Sequence, residues 1–373
     1  MKAASHPVQR PRDAKLLVID EAGRLHFAPR SRLVEFLRPG DLVIANDAAT
    51  LPASLHGTHV RSGMPIEVRL AGRRSLRVHD VRDFTAIVLG AGDHRTRTED
   101  RPAPPMLCAG DTLALGPLRA TVRRTLGHPR LIALRFHGGA DSIWAGIAQH
   151  GKPIQYAHIA DSLALWDVWT SVAALPVAFE PPSAGFVLDW DLLHALRERD
   201  IGFATLTHAA GISSTGDAAL DARLPFDEPY YIPQSTAQAI ESTRRRGGRI
   251  VAVGTTVTRA LEHAAARNGG TPRAGHGVAN QRIGATTRLR VVNAMLSGTH
   301  EAGSSHHELL RAFVPEAVLL HADAALAAHG YLTHEFGDSV LIRDMRTSLL
   351  AASVASPGIG GPMAEVDSLE SVP

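Results

Sequence analysis

The sequence predicts an α/β chain with a small all-β module set into it, and three observations predict this. The first is the apolar run Leu42-Val43-Ile44-Ala45, which follows the turn Leu37-Arg38-Pro39-Gly40-Asp41 and ends at Asn46-Asp47. A continuous apolar run of this length reads as a strand buried on both faces. The second is a change of texture from about Thr58 to about Gln149, where short alternating segments are separated by glycine-containing turns. Such a series is the signature of a small barrel or sandwich. The third is the return, after Ile154, of strands alternating with helix-length segments, the pattern of an α/β domain.

In chain order, Leu16-Leu17-Val18-Ile19-Asp20 reads as a strand that leaves through the turn Glu21-Ala22-Gly23 into a hairpin. The alternating segments are Ile66 to Leu70, Leu76-Arg77-Val78, Thr85 to Leu89, Thr112 to Leu115 and Leu131 to Phe136. Beyond them the spacing predicts a helix over Asp191 to Glu198, a strand over Gly202 to Leu206 and a helix over Gln234 to Arg246. A strand over Arg249 to Val253 and a helix over Val257 to Arg267 follow. The expected domains are therefore 1–57 with 150–345, an inserted β module over 58–149, and a disordered tail over 346–373, where Ala, Ser, Gly and Pro dominate.

Composition narrows the function classes. The 373 residues are 45% hydrophobic and 20% charged, which is ordinary globular usage. No apolar run approaches the roughly 18 residues of a membrane span, and Met1 to Asp20 lacks the apolar stretch of a secretory signal. The single cysteine, Cys108, fits a reducing cytoplasm. The 39 basic and 37 acidic residues nearly cancel, so any affinity for a polyanion rests on local arginine clusters: Arg73, Arg74 and Arg77; Arg95, Arg97 and Arg101; Arg123, Arg124 and Arg130; Arg244, Arg245, Arg246 and Arg249. A solvated face is the commoner reading of each.

The segment Gly247 to Glu262 carries the sharpest chemical signal. A buried strand ends in Gly254, and Thr255 and Thr256 open a helix whose unpaired amides suit a carboxylate or phosphate. Arg259, four residues after Thr255, is placed to add a clamp, held by Glu262 one turn on. An ordinary helix cap with a surface ion pair stands as the alternative. The second cluster is Ser297 to Glu308. Its histidines do not have the spacing that puts two zinc ligands on one helix face, so His300 is read as a candidate acid or base and His306 and His307 as surface residues. His208 follows a strand end and precedes a Gly- and Ser-rich segment. Dinucleotide, P-loop and nucleophile-elbow motifs are absent from the sequence.

Together these residues resemble the S-adenosylmethionine:tRNA ribosyltransferase-isomerase family of queuosine biosynthesis. The similar segments are Pro11 to Val18, Leu37 to Val43, Asn46-Asp47, Leu51-Pro52-Ala53 and Pro182 to Gly185. They continue with Thr205-Leu206, His208, Glu228, Pro233, Gly247 to Glu262, His300, Ser304, Tyr331 and Phe336-Gly337-Asp338. The resemblance implies a distorted barrel-like α/β main domain with an inserted β-barrel. It also implies an enzyme that moves the ribosyl part of S-adenosylmethionine onto a 7-aminomethyl-7-deazaguanine base in tRNA, giving epoxyqueuosine, without metal or flavin. On that reading Gly254, Thr255, Thr256 and Arg259 hold an anionic group, and Asn46 and Asp47 contact ribose or adenine. His208, His300, Glu228 and Asp338 are candidates for proton transfer. The family's pattern departs at Ala49, where an arginine is lost, and at Val187 and Phe226, where histidines are lost. These departures leave open an enzyme acting on a small non-tRNA acceptor, or a noncatalytic binding protein.

Overall fold

The computed structural model describes residues 1–300 and 303–345; the expected tail lies outside them. A nine-stranded mixed sheet organises the larger part, in the order Gly275–Ala279, Glu228–Ile232, Gly202–His208, Leu42–Asn46, Ile250–Val253, Ala294–Gly298, Ser339–Arg343, Lys15–Ile19 and Leu25–Pro29. Four neighbours in its middle, Gly202–His208, Leu42–Asn46, Ile250–Val253 and Ala294–Gly298, run parallel, so their carboxyl ends emerge on one edge. The strand Leu42–Asn46 is buried throughout. Its side chains alternate: Leu42 and Ile44 join one apolar core with Ile250, Ala260 and Phe313, while Val43 and Ala45 join another with Val251, Leu296 and Leu341. A strand sealed on both faces needs apolar residues at every position, which is why this run carried no polar alternation. The helices expected after Ile154 form as Trp190–Glu198, Gln234–Arg245 and Thr255–Arg267.

Six antiparallel strands close into a barrel: Leu118–His128, Leu131–Phe136, Asp83–Leu89, Pro65–Gly72, Ser54–His59 and Thr112–Leu115. Its interior is apolar, built on Leu55, Val68, Leu70, Ile87, Leu113 and Phe136. Three details differ from the pattern in the sequence. Leu76-Arg77-Val78 is a loop, since no neighbouring strand pairs with it. The longest barrel strand, Leu118–His128, was hidden because its register shifts between Val122 and Arg124 break the alternation. Ala140–His150 is a helix, whose Ile143 and Ile147, four apart, pack on the barrel core.

Two arginines of the clusters, for which a solvated face or a phosphate contact was expected, are instead interior. Arg73 is buried, with its guanidinium over the Trp144 ring at 5.8 Å. Arg101 is buried too and donates to Glu67 Oε2 at 2.5 Å, while Arg69 donates to Glu67 Oε1 at 2.7 Å. Burial alone would raise the Glu67 pKa, but the two guanidiniums prevail and hold it at about 2. The folded value lies below the ordinary 4.5, so this contribution to stability is full above pH 4.5 and is lost as pH falls through 2. Glu67→Gln, which leaves two buried guanidiniums without their countercharge, is expected to cost about 3–5 kcal/mol at pH 7. Its stability should also change less than the wild type's on acidification, which urea titrations at several pH values will show.

Candidate active site

The candidate site lies at the carboxyl ends of the four parallel strands. His208 ends Gly202–His208, Asn46 ends Leu42–Asn46, Gly254 follows Ile250–Val253, and Gly298 with His300 follows from Ala294–Gly298. Side chains at adjacent carboxyl ends share one crevice, the usual place for ligands on a parallel sheet. Gly254 has φ +93 and ψ 163, a region open essentially to glycine alone. A Cβ there would also lie 3.3 Å from Ala184 Cβ. No side chain caps the helix Thr255–Arg267, so its first-turn amides stay available beside Thr255 and Thr256, which line the cleft.

Arg259 also lines the cleft but is held differently from the expectation. Glu262 accepts the backbone amides of Arg290, Val291 and Val292 instead. The partner of Arg259 is Glu228, in a close buried ion pair, and its guanidinium donates further to the carbonyls of Ala279 and Gln281 at 3.1 and 3.2 Å. Its Nε is buried with no hydrogen-bond partner, an orphan donor at the cleft floor. Glu228 Oε1 accepts the Gly211 amide at 2.6 Å. Burial raises the Glu228 pKa against the pull of Arg259. His208 sits behind this pair, fully buried, with Nε2 3.4 Å from Glu228 Oε2 and neither ring nitrogen hydrogen-bonded. Burial and then the Arg259 charge push its pKa well down, so it is neutral at pH 7.

The opposite wall holds residues the sequence did not mark. Glu180, 7% exposed, lines the cleft. One of its oxygens takes a short hydrogen bond from the Tyr156 hydroxyl, and the other accepts the Ser213 amide at 3.0 Å. Burial, only partly offset by these hydrogen bonds, pushes its pKa up to about 7. His300 Nε2 lies 3.0 Å from Ser297 Oγ, and its ring packs edge-on to His306 at 4.6 Å between centroids. Burial and the neighbouring histidines drive the His300 pKa well down, and burial takes His306 to about 4. Neither His306 nor His307 is a surface residue: His306 lines the cleft, and His307 is buried against Asp323 at 2.8 Å. Beyond Ser213, Ser305, His300 and His306 the cleft continues into a cavity of about 750 Å³, large enough for a nucleoside-sized ligand.

Besides His208, three expected site residues do not line the cleft. Asn46 lies beneath it, bonded to the backbone of His208 on both sides and 3.4 Å from Thr256 Oγ1. Asp47 accepts the hydroxyls of Thr205 and Thr207 at 2.8 and 2.7 Å. Asp338 spends both carboxylate oxygens on the backbone amides of Lys15 and Leu332. Short polar side chains at strand ends satisfy backbone groups as readily as ligands, and the sequence does not distinguish the two. The altered positions are apolar packing: Ala49 and Val187 are buried, and Phe226 packs against the barrel core.

Sheet and cleft define an α/β protein with a helix start that no side chain caps at its parallel strand ends, accompanied by a closed six-stranded β-barrel. The family model described as "Queuosine biosynthesis protein" matches residues 1–342, and the chain belongs to that family. It is 31% identical over 347 residues to the S-adenosylmethionine:tRNA ribosyltransferase-isomerase of Trichlorobacter lovleyi, covering 91% of this chain and 95% of the relative. To the protein of the same name from Gloeobacter violaceus it is 32% identical over 344 residues, covering 91% and 92%. The crystal structure of the S-adenosylmethionine tRNA ribosyltransferase from Thermotoga maritima aligns with a TM-score of 0.47 at 24% identity, covering 91% of this chain and 95% of that one.

Proposed function

We propose that this chain carries out the reaction for which its relatives are named, moving the ribosyl part of S-adenosylmethionine onto a 7-aminomethyl-7-deazaguanine base in tRNA. The observation that carries the proposal is the uncapped helix start at Gly254, Thr255 and Thr256, set beside the orphan Nε of Arg259 in a cleft that also presents Glu180. In this reading the first-turn amides, the two hydroxyls and Arg259 receive the methionine carboxylate of S-adenosylmethionine. The positive sulfur acidifies the C5′ protons and makes methionine a leaving group. Glu180, titrating at about 7, has the basicity a proton acceptor needs at neutral pH, and Tyr156 and Ser213 orient it. Glu228, in the cleft lining, holds Arg259, neutral His208 packs behind Glu228, and neutral His300 offers a hydrogen bond to the nucleoside. Asn46 and Asp47 position the strand ends without touching substrate. Among the described residues no helix is long and apolar enough to cross a membrane.

The test is calorimetric titration of S-adenosylmethionine into the protein, followed by chromatography of adenine and methionine with and without tRNA bearing the precursor base. Binding with release that depends on tRNA is expected. Release that proceeds equally without RNA would assign the chain a different acceptor, and absence of both binding and release would end the proposal.

A further inference from the structure

Across the larger cavity from the helix terminus, two loops distant in sequence meet. One carries His158, the other His334 and Glu335, and all three line the cavity. One ligand-type atom from each lies within 4.8 Å of the other two. His158 Nε2 and Glu335 Oε2 are hydrogen-bonded at 3.0 Å, a contact that opens only slightly to reach the spacing of about 3.4 Å between two donors on a tetrahedral ion with bonds of about 2.0–2.2 Å. The His158 and His334 rings stack at 4.4 Å between centroids.

Both loops are built to hold their shape. The buried Gln155 side chain donates to the carbonyls of Ile159 and Asp161 and accepts the Leu163 amide, pinning the loop around His158 from inside. Arg69 of the barrel donates to the Gln155 carbonyl at 3.2 Å. The other loop is a tight turn locked by Asp338, whose carboxylate takes the Leu332 amide while its own amide donates back to Leu332 O at 2.8 Å. Within that turn His334 has φ +71, uncommon for a residue with a side chain and retained where surrounding structure enforces it.

We propose that His158, His334 and Glu335 form a binding site for one divalent transition-metal ion of the zinc class in the wall of the cavity. Two imidazoles and one carboxylate suit borderline cations and leave at least one coordination position open. That position adjoins the volume also lined by His300 and His306, so it is available to water or to an oxygen or nitrogen donor of a bound substrate. The site is independent of the reaction proposed above, since an ion can bind whether or not tRNA is the acceptor.

The full-length protein, stripped with chelator and dialysed, is titrated with Zn2+ by calorimetry and loaded with Co2+ for its visible spectrum. One ion per chain is expected, with a Co2+ spectrum showing nitrogen and oxygen ligation. His158→Gln, His334→Gln and the near-isosteric Glu335→Gln should each weaken Zn2+ binding at least tenfold. The exposed His276→Gln should bind like the wild type. Melting temperatures of the metal-free variants, compared with metal-free wild type, separate a lost ligand from a lost fold. No stoichiometric uptake of Zn2+ or Co2+ by the wild type, or uptake undiminished in correctly folded variants, would overturn the proposal.

Discussion

Glu180→Gln is expected to lower turnover by about 100- to 10,000-fold, the range for loss of a positioned general base, while S-adenosylmethionine affinity stays within a few-fold. The amide keeps the volume of the side chain and an acceptor for the Tyr156 hydroxyl but cannot take a proton. The wild-type rate should rise with pH through about 7, where Glu180 loses its proton, and the residual rate of the variant should lack that rise. The same shift acts on stability with the opposite sense. The folded pKa lies above the ordinary 4.5, so folding favours the protonated form, and the wild type loses stability as pH climbs from 4.5 through 7. The variant should not share this loss. Single-turnover rates and urea titrations between pH 5 and 8.5 measure both; a wild-type rate flat across that range would remove Glu180 from the role.

Arg259→Met should be the most destabilising single change in the cleft, at about 3–5 kcal/mol. It strands the Glu228 carboxylate in a buried position and leaves the carbonyls of Ala279 and Gln281 without their donor. Because the penalty comes from an uncompensated charge more than from a lost attraction, the double variant Arg259→Met with Glu228→Leu should recover much of the stability. Neither variant should bind S-adenosylmethionine with wild-type affinity, since both remove the orphan Nε donor. A double variant as unstable as the single one would show that the pair's value lies in its hydrogen bonds to the backbone.

The fold was legible where a single segment carries its own periodicity. Leu42–Asn46, Gln234–Arg245 and Ile250–Val253 could be read because burial of a strand on both faces, or of one helix stripe, writes a pattern into consecutive residues. Legibility failed where pattern depends on a partner. Leu118–His128 is bulged by its neighbour, and Leu76-Arg77-Val78 alternates but finds no strand to pair with. The site divides the same way. Gly254, Thr255 and Thr256 were legible because turn, strand and helix start are contiguous in sequence. The partner of Arg259 was not, because Glu228 approaches from another strand while Glu262, one turn away, is drawn off by three amides. Glu180 gave no signal at all: a carboxylate before Pro181-Pro182 looks like a loop residue until Tyr156 and Ser213 are seen around it.

The altered positions bear on the acceptor. Ala49, Val187 and Phe226 do not line the cleft, whereas Glu180, Glu228, Thr255, Thr256, Arg259, His300 and His306 do. The proposed chemistry draws on this set and has no part for the three side chains missing from the family's pattern.

The most direct measurement is the nucleoside composition of the tRNA itself. tRNA carrying 7-aminomethyl-7-deazaguanine is incubated with the protein and S-adenosylmethionine, digested to nucleosides and analysed by mass spectrometry. Conversion of the precursor nucleoside to epoxyqueuosine is expected, and its abolition in Glu180→Gln. Precursor left unmodified by folded protein that binds S-adenosylmethionine would contradict it.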